Sequence, residues 1–131
     1  MADPTILTFD LGTQSMRAMV VNRQGEILYY AQYKYPKPYV SIQPGYADVD
    51  PMMYYGTMRI LMDQLYKQDT HCLQECAGVT LACIRDTIIL LDENKKPIRD
   101  AILWLDHRLA DDTSRIPGWV LKASSVVHMR K

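Results

Sequence analysis

The stretch from Ile6 to Val21, ILTFDLGTQSMRAMVV, leaves few folding options. A short apolar run closes on an acid, Asp10. Gly12 follows at once, then the polar side chains of Thr13, Gln14 and Ser15. A second apolar run, Met16 to Val21, carries one charge, Arg17. This pattern spells a buried strand, a tight polar turn and a returning strand, expected at 6–9 and 16–21. Gly12 lets backbone N–H groups approach a ligand closely, and Thr13 and Ser15 add hydroxyls. Asp10, at the end of the first strand, has the chemistry to hold a metal ion directly or through water. The hairpin is a candidate phosphate cradle. A plain β-hairpin with a polar turn would read the same way.

Downstream, Asn22-Arg23-Gln24-Gly25 signals a turn, and Glu26 to Tyr35 a third strand, completing a three-stranded meander. Tyr39 to Asp50 holds too many turn formers for a regular element. Asp50 and Pro51 then suit the cap and first residue of a helix. Met53, Tyr54, Met58, Ile60, Leu61 and Leu65 carry it to about Tyr66 or Lys67. Glu75–Ala82 and Asp86–Asp92 each read as strands, with a turn at 93–97. Leu105 to Arg108 lead into a short helix that includes Asp111 and Asp112. Strands, helix and further strands in this order suit an α/β fold with a mixed sheet.

Fifteen basic and fifteen acidic residues cancel, so no charge excess argues for nucleic acid. Nothing approaches the ~18 apolar residues of a membrane span. The start, MADPT, lacks the basic and apolar regions of a signal peptide, which points to a cytoplasmic protein. Cys72, Cys76 and Cys83 fit that compartment as free thiols, with Cys83 expected in the core. A small metal or redox protein built on Cys72, Cys76 and His71 would need about four ligands, and no second pair follows.

The segment FDLGTQSMRAMVV resembles the first phosphate-binding hairpin of the FGGY carbohydrate kinases, within the actin-like ATPase superfamily. Asp10, Gly12, Thr13, Ser15 and Arg17 match its pattern, and Gln14 replaces a small hydroxyl residue. Gln43 to Pro51, QPGYADVDP, resembles a second family stretch, in which Asp48 and Asp50 read as turn and capping residues. Ile84-Arg85-Asp86-Thr87 is similar to the Q-R-E-T of members near glycerol kinase. Aspartate replaces glutamate there, and Ile84 replaces glutamine. Ile102 to Arg108, ILWLDHR, resembles a further signature. Its Asp106 and Arg108 suit an ion pair bracing the turn, and its His107 an exposed position.

The resemblance implies an RNase H-like, actin-like lobe of α/β class, begun by the meander and incomplete. Residues 1–113 correspond to the N-terminal portion of the first lobe, and 114–131 follow no family pattern. It implies an ATP- and Mg2+-dependent kinase for a polyol or sugar. Asp10, Gly12, Thr13, Gln14, Ser15 and Arg17 would face the phosphates. Arg85 and Asp86 would bind substrate hydroxyls, which a guanidinium and a carboxylate suit. Trp104 would flank the carbon chain, although plain packing would use it equally well. The family's catalytic base and nucleotide lobe lie beyond these residues, so the expectation is no transfer by this chain alone. The alternative is an actin-like binding or assembly module without transfer activity. One long helix cannot cover a whole sheet, so exposed sheet surface and self-association are also expected.

Overall fold

The structure is a computed structural model that describes residues 3–108 and 117–120. Three antiparallel strands come first: β1 (Thr5–Leu11), β2 (Ser15–Val21) and β3 (Ile27–Lys34). The turn between β2 and β3 is tied by Asn22, whose side-chain oxygen accepts from the N–H groups of Gln24 and Glu26. Gly25 supplies the left-handed conformation there, with φ +83°. The meander expected from the sequence is therefore present.

A two-residue strand, β4 (Asp48–Val49), precedes the helix α1 (Met52–Gln68). Pro51 already has helical angles, φ −58° and ψ −28°. The Asp50 carboxylate accepts from the Met52 N–H at 2.8 Å. Pro51, not Asp50, is thus the cap residue, one place later than expected, and Asp50 relieves one donor from just outside the helix. The chain returns through β5 (Cys76–Ala82), which pairs in parallel with β1. The sheet order is β3-β2-β1-β5. A short β6 (Ala101–Ile102) pairs antiparallel with β4.

Alternation along the strands decides the core. Leu7 and Phe9 of β1 stand beside Val20 and Ala18 of β2, and all four are buried on one face. The helix α1 packs over β2 and β3 and lowers Leu61 and Leu65 onto that face. Both leucines are fully buried, contributing about 2 kcal/mol each. Tyr54 joins them and meets Tyr35 edge to face at 6.1 Å.

Register places Val79 beside Leu7 and Leu81 beside Phe9, on the same face. Yet α1 does not reach them, and they remain 62% and 53% exposed. The expected uncovered sheet surface is real, and it lies along β5.

Four expectations need correction. Asp86–Asp92 is not a strand. It makes only isolated bridges, Ile88 to Ile102 and Leu91 to Pro97. Asp86 has φ +56°, and Asp92 turns back on the N–H groups of Asn94 and Lys96, so no continuous ladder forms. Cys83 is exposed rather than core, because it follows β5 on the side that α1 leaves open. Asp48 is a strand residue in an ion pair, not a cap. Residues 106–108 are not helical, and the remainder of that expected helix, with Asp111 and Asp112, lies outside the described residues. Of the tail assigned to 114–131, only 117–120 are described.

Candidate functional site

The β1–β2 turn is tighter than a flexible loop. The Gly12 N–H donates to the Ser15 carbonyl at 3.0 Å. A Cβ on Gly12 would sit 2.9 Å from that same oxygen. Glycine is therefore required here by the closeness of the turn itself. Among the described residues, the N–H groups of Thr13 and Gln14 donate to no protein acceptor. Asp10 and Arg17 face each other across the strands, joined at 2.7 Å, with both side chains about two-fifths exposed. The Ser15 hydroxyl accepts from Gln32 at 3.2 Å.

Arg85 and Asp86 occupy the turn just after β5. Both are exposed, and neither side chain has a hydrogen-bond partner among the described residues. The left-handed Asp86 backbone is one that aspartate tolerates better than most side chains. Together with Ile84 and Trp104 they line one open pocket of about 230 Å3. Ile84 also borders a second pocket of about 210 Å3, with Leu11, Tyr54, Cys83, Thr87 and Ile89. The structure thus brings the three residues suggested for substrate contact to one place, although 18 or more positions separate Trp104 from the other two.

Trp104 also reaches the β1–β2 turn. Its indole Nε1–H donates to the Thr13 hydroxyl at 3.0 Å. Its backbone N–H donates to the Thr87 hydroxyl at 3.3 Å. Hairpin turn and pocket are therefore neighbours. Sequence reading found both groups of residues but not the bond between them.

Behind the pocket lies a second acid–arginine system. Arg108 binds Asp106 through Nε and Nη2 at 2.6–2.9 Å, and its Nη2 also reaches Asp48 at 2.8 Å. The Asp106 side chain is 2% exposed, and its Oδ2 accepts from the Ala47 N–H at 2.6 Å. The guanidinium lies 4.0 Å above the Tyr46 ring. Hydrogen bonds from Arg108, foremost, hold the Asp106 carboxyl well below the usual carboxylate range. Hydrogen bonds to Asp106, foremost, and to Asp48 push the Arg108 guanidinium above its ordinary value. The backbone agrees: Leu103 N–H donates to Ala47, and His107 N–H to Gly45. The stretches 43–51 and 102–108 are thus one clamped unit. The anticipated Asp106–Arg108 brace is present, and His107 is exposed. No local pattern announces the Asp48 contact, which joins positions 60 residues apart.

Among the described residues, no group of three or more metal-binding side chains forms, and no helix is long and apolar enough to cross a membrane. The family model for the N-terminal domain of the FGGY carbohydrate kinases matches residues 5–120. The chain belongs to the FGGY family of carbohydrate kinases. It is 34% identical over 116 residues to glycerol kinase 2 of Saccharolobus solfataricus, covering 88% of this chain and 22% of that one. Glycerol kinase of Burkholderia cenocepacia is 34% identical over 112 residues, covering 85% of this chain and 22% of its own. Among solved structures, a xylulose kinase from Brucella ovis superposes with a TM-score of 0.74 at 23% identity, covering 79% of this chain and 22% of that one. Plasmodium falciparum glycerol kinase with ADP gives 0.66 at 22% identity, covering 94% and 23%. These likenesses establish the fold: the mixed sheet is part of an actin-like lobe. The chain spans 22% of the length of these FGGY relatives.

Proposed function

We propose that this FGGY segment forms the acceptor pocket and one phosphate wall of a kinase that phosphorylates a hydroxyl of a polyol or sugar. One observation carries the reading. Arg85, Asp86 and Trp104 line a single open pocket, and that pocket adjoins the turn bearing the free N–H groups of Thr13 and Gln14. Phosphoryl transfer needs the accepting hydroxyl and the phosphate held side by side. This arrangement supplies two such neighbouring surfaces.

In that role Asp86 accepts hydrogen bonds from vicinal hydroxyls and Arg85 donates to their oxygens. Trp104 offers its face to the carbon chain. The turn fits a phosphate: two free N–H groups, a hydroxyl on Thr13 and another on Ser15, with Gln14, Gly12 and Arg17 around them. Asp10 is a carboxylate beside it, suited to hold magnesium through water. Magnesium bound with ATP supplies neutralisation of phosphate charge. These residues hold and orient; none is placed to act as a general base. We further propose that residues 1–113 act as the lobe portion, with the family match running on to residue 120, and that the 131-residue chain binds nucleotide weakly and transfers nothing alone. The uncovered Val79 and Leu81 favour self-association along β5.

Calorimetry with ATP and magnesium, beside a coupled ADP-release assay with glycerol and D-xylulose, tests this reading. The expected result is weak nucleotide binding and no turnover. Robust turnover would mean that the segment holds a base that this account does not assign. For the pocket, glycerol should alter Trp104 fluorescence in a Trp119→Phe background, and Arg85→Ala should abolish the change.

A further inference from the structure

Trp104 belongs to two places at once. Its ring borders the pocket with Arg85 and Asp86. Its Nε1–H donates to the Thr13 hydroxyl at 3.0 Å, across 91 positions of sequence. Its backbone N–H reaches Thr87, the residue that follows the Arg85–Asp86 turn. The side chain is 57% exposed, so burial does not explain its hydrogen bond. A solvent-facing indole would be satisfied by water at little cost.

The bond has a directional effect. Accepting the indole proton occupies one lone pair of Thr13 Oγ1. The hydroxyl proton is then left to point elsewhere, beside the unused N–H groups of Thr13 and Gln14. An accepted hydrogen bond also polarises a hydroxyl as a donor. A polyol seated against the indole face would fix the ring, and with it this donor set.

We propose that Trp104 is a positioning residue that couples the acceptor pocket to the phosphate turn through Thr13. Polyol and an anionic phosphate then bind cooperatively, each favouring the indole orientation that serves the other. The proposal rests on the acceptor-pocket reading above. Linkage makes the coupling reciprocal: phosphate tightens polyol by the factor by which polyol tightens phosphate. Transmission through one exposed hydrogen bond sets that factor at roughly threefold.

The test is an NMR titration of the 15N-labelled chain with glycerol, then with inorganic phosphate, each alone and together. Glycerol should move the Arg85 and Asp86 amides, the Trp104 indole signal, and the Thr13 and Gln14 amides. It should also tighten phosphate roughly threefold. Thr13→Val should keep its spectral dispersion, retain the glycerol shift at Arg85 and Asp86, and lose both the turn shift and the tightening. Thr13→Ser should restore both, which a merely structural role would not require. Shifts confined to Arg85 and Asp86, with phosphate affinity unchanged by glycerol, would overturn the coupling and leave the acceptor pocket standing. No shift at Arg85, Asp86 or Trp104 with glycerol or D-xylulose would overturn the acceptor pocket itself and the coupling with it.

Discussion

Asp106–Arg108, just after Trp104 in the chain, and Arg85–Asp86, beside Trp104 in the pocket, are both acid–arginine systems, and they behave oppositely. Asp106 is buried, bidentate with Arg108 and bonded to the Ala47 N–H. Arg108 also binds Asp48 through Nη2 and lies over the Tyr46 ring. Arg85 and Asp86 are adjacent, exposed and unpartnered among the described residues. Asp10–Arg17 lies between the extremes, paired but two-fifths open. A charge pair whose hydrogen-bonding capacity is consumed inside the protein serves the fold. A pair whose capacity faces a pocket is available to a ligand.

The sharpest way to break this contrast is to remove a buried partner. Asp106→Ala leaves Arg108 with Asp48 as its remaining carboxylate and the Ala47 N–H unpaired, and should cost about 3 kcal/mol in urea unfolding. A midpoint within error of wild type would dissolve the distinction. Next in size, Gly12→Ala pushes a Cβ against the Ser15 carbonyl and should destabilise by about 1–3 kcal/mol. An unchanged midpoint would show that the turn is looser than 2.9 Å implies.

Acid sharpens the same point. The folded Asp106 carboxyl titrates below its unfolded value, so the unfolded state takes up the proton first. Its contribution is fully present above about pH 4 and is lost as pH falls towards the depressed folded value. Wild-type stability should therefore fall as pH drops below about 4 towards that depressed value, and Asp106→Asn should flatten the fall. A parallel decline in the variant would assign the acid sensitivity elsewhere. Asp69, lowered first by the Tyr29 hydroxyl, is the natural remainder. The smallest effect belongs to Arg85→Ala, which touches no partner and should leave the unfolding midpoint unmoved while abolishing any polyol response.

How much of this was legible in the sequence follows the same division between local and distant. The hairpin, the turn at Asn22–Gly25 and the helix start near Asp50 rest on alternation and on side chains that bond near neighbours, so the residues announce them to within a position. Glu75–Ala82 reads as a strand leading to a core Cys83, and β5 does form. Its burial needed a helix over Val79 and Leu81, which local pattern cannot guarantee, and Cys83 was misplaced for that reason. DTIILLD has strand composition, but a strand also needs a continuous partner, and only single bridges formed. The Asp48–Arg108 contact and the Trp104–Thr13 bond span 60 and 91 positions, so only the folded chain brings them together.

The central claim is that Arg85–Asp86 serves a ligand while Asp106–Arg108 serves the fold. Asp86→Asn and Asp106→Asn, compared side by side, test it most directly. Each variant is followed by urea unfolding and by the glycerol-induced change in Trp104 fluorescence, with Trp119 replaced by Phe throughout. Asp86→Asn keeps the wild-type midpoint and loses the glycerol response. Asp106→Asn loses stability and, where still folded, keeps the response. An Asp86→Asn protein that binds glycerol as wild type does, or that loses as much stability as Asp106→Asn, would contradict the account.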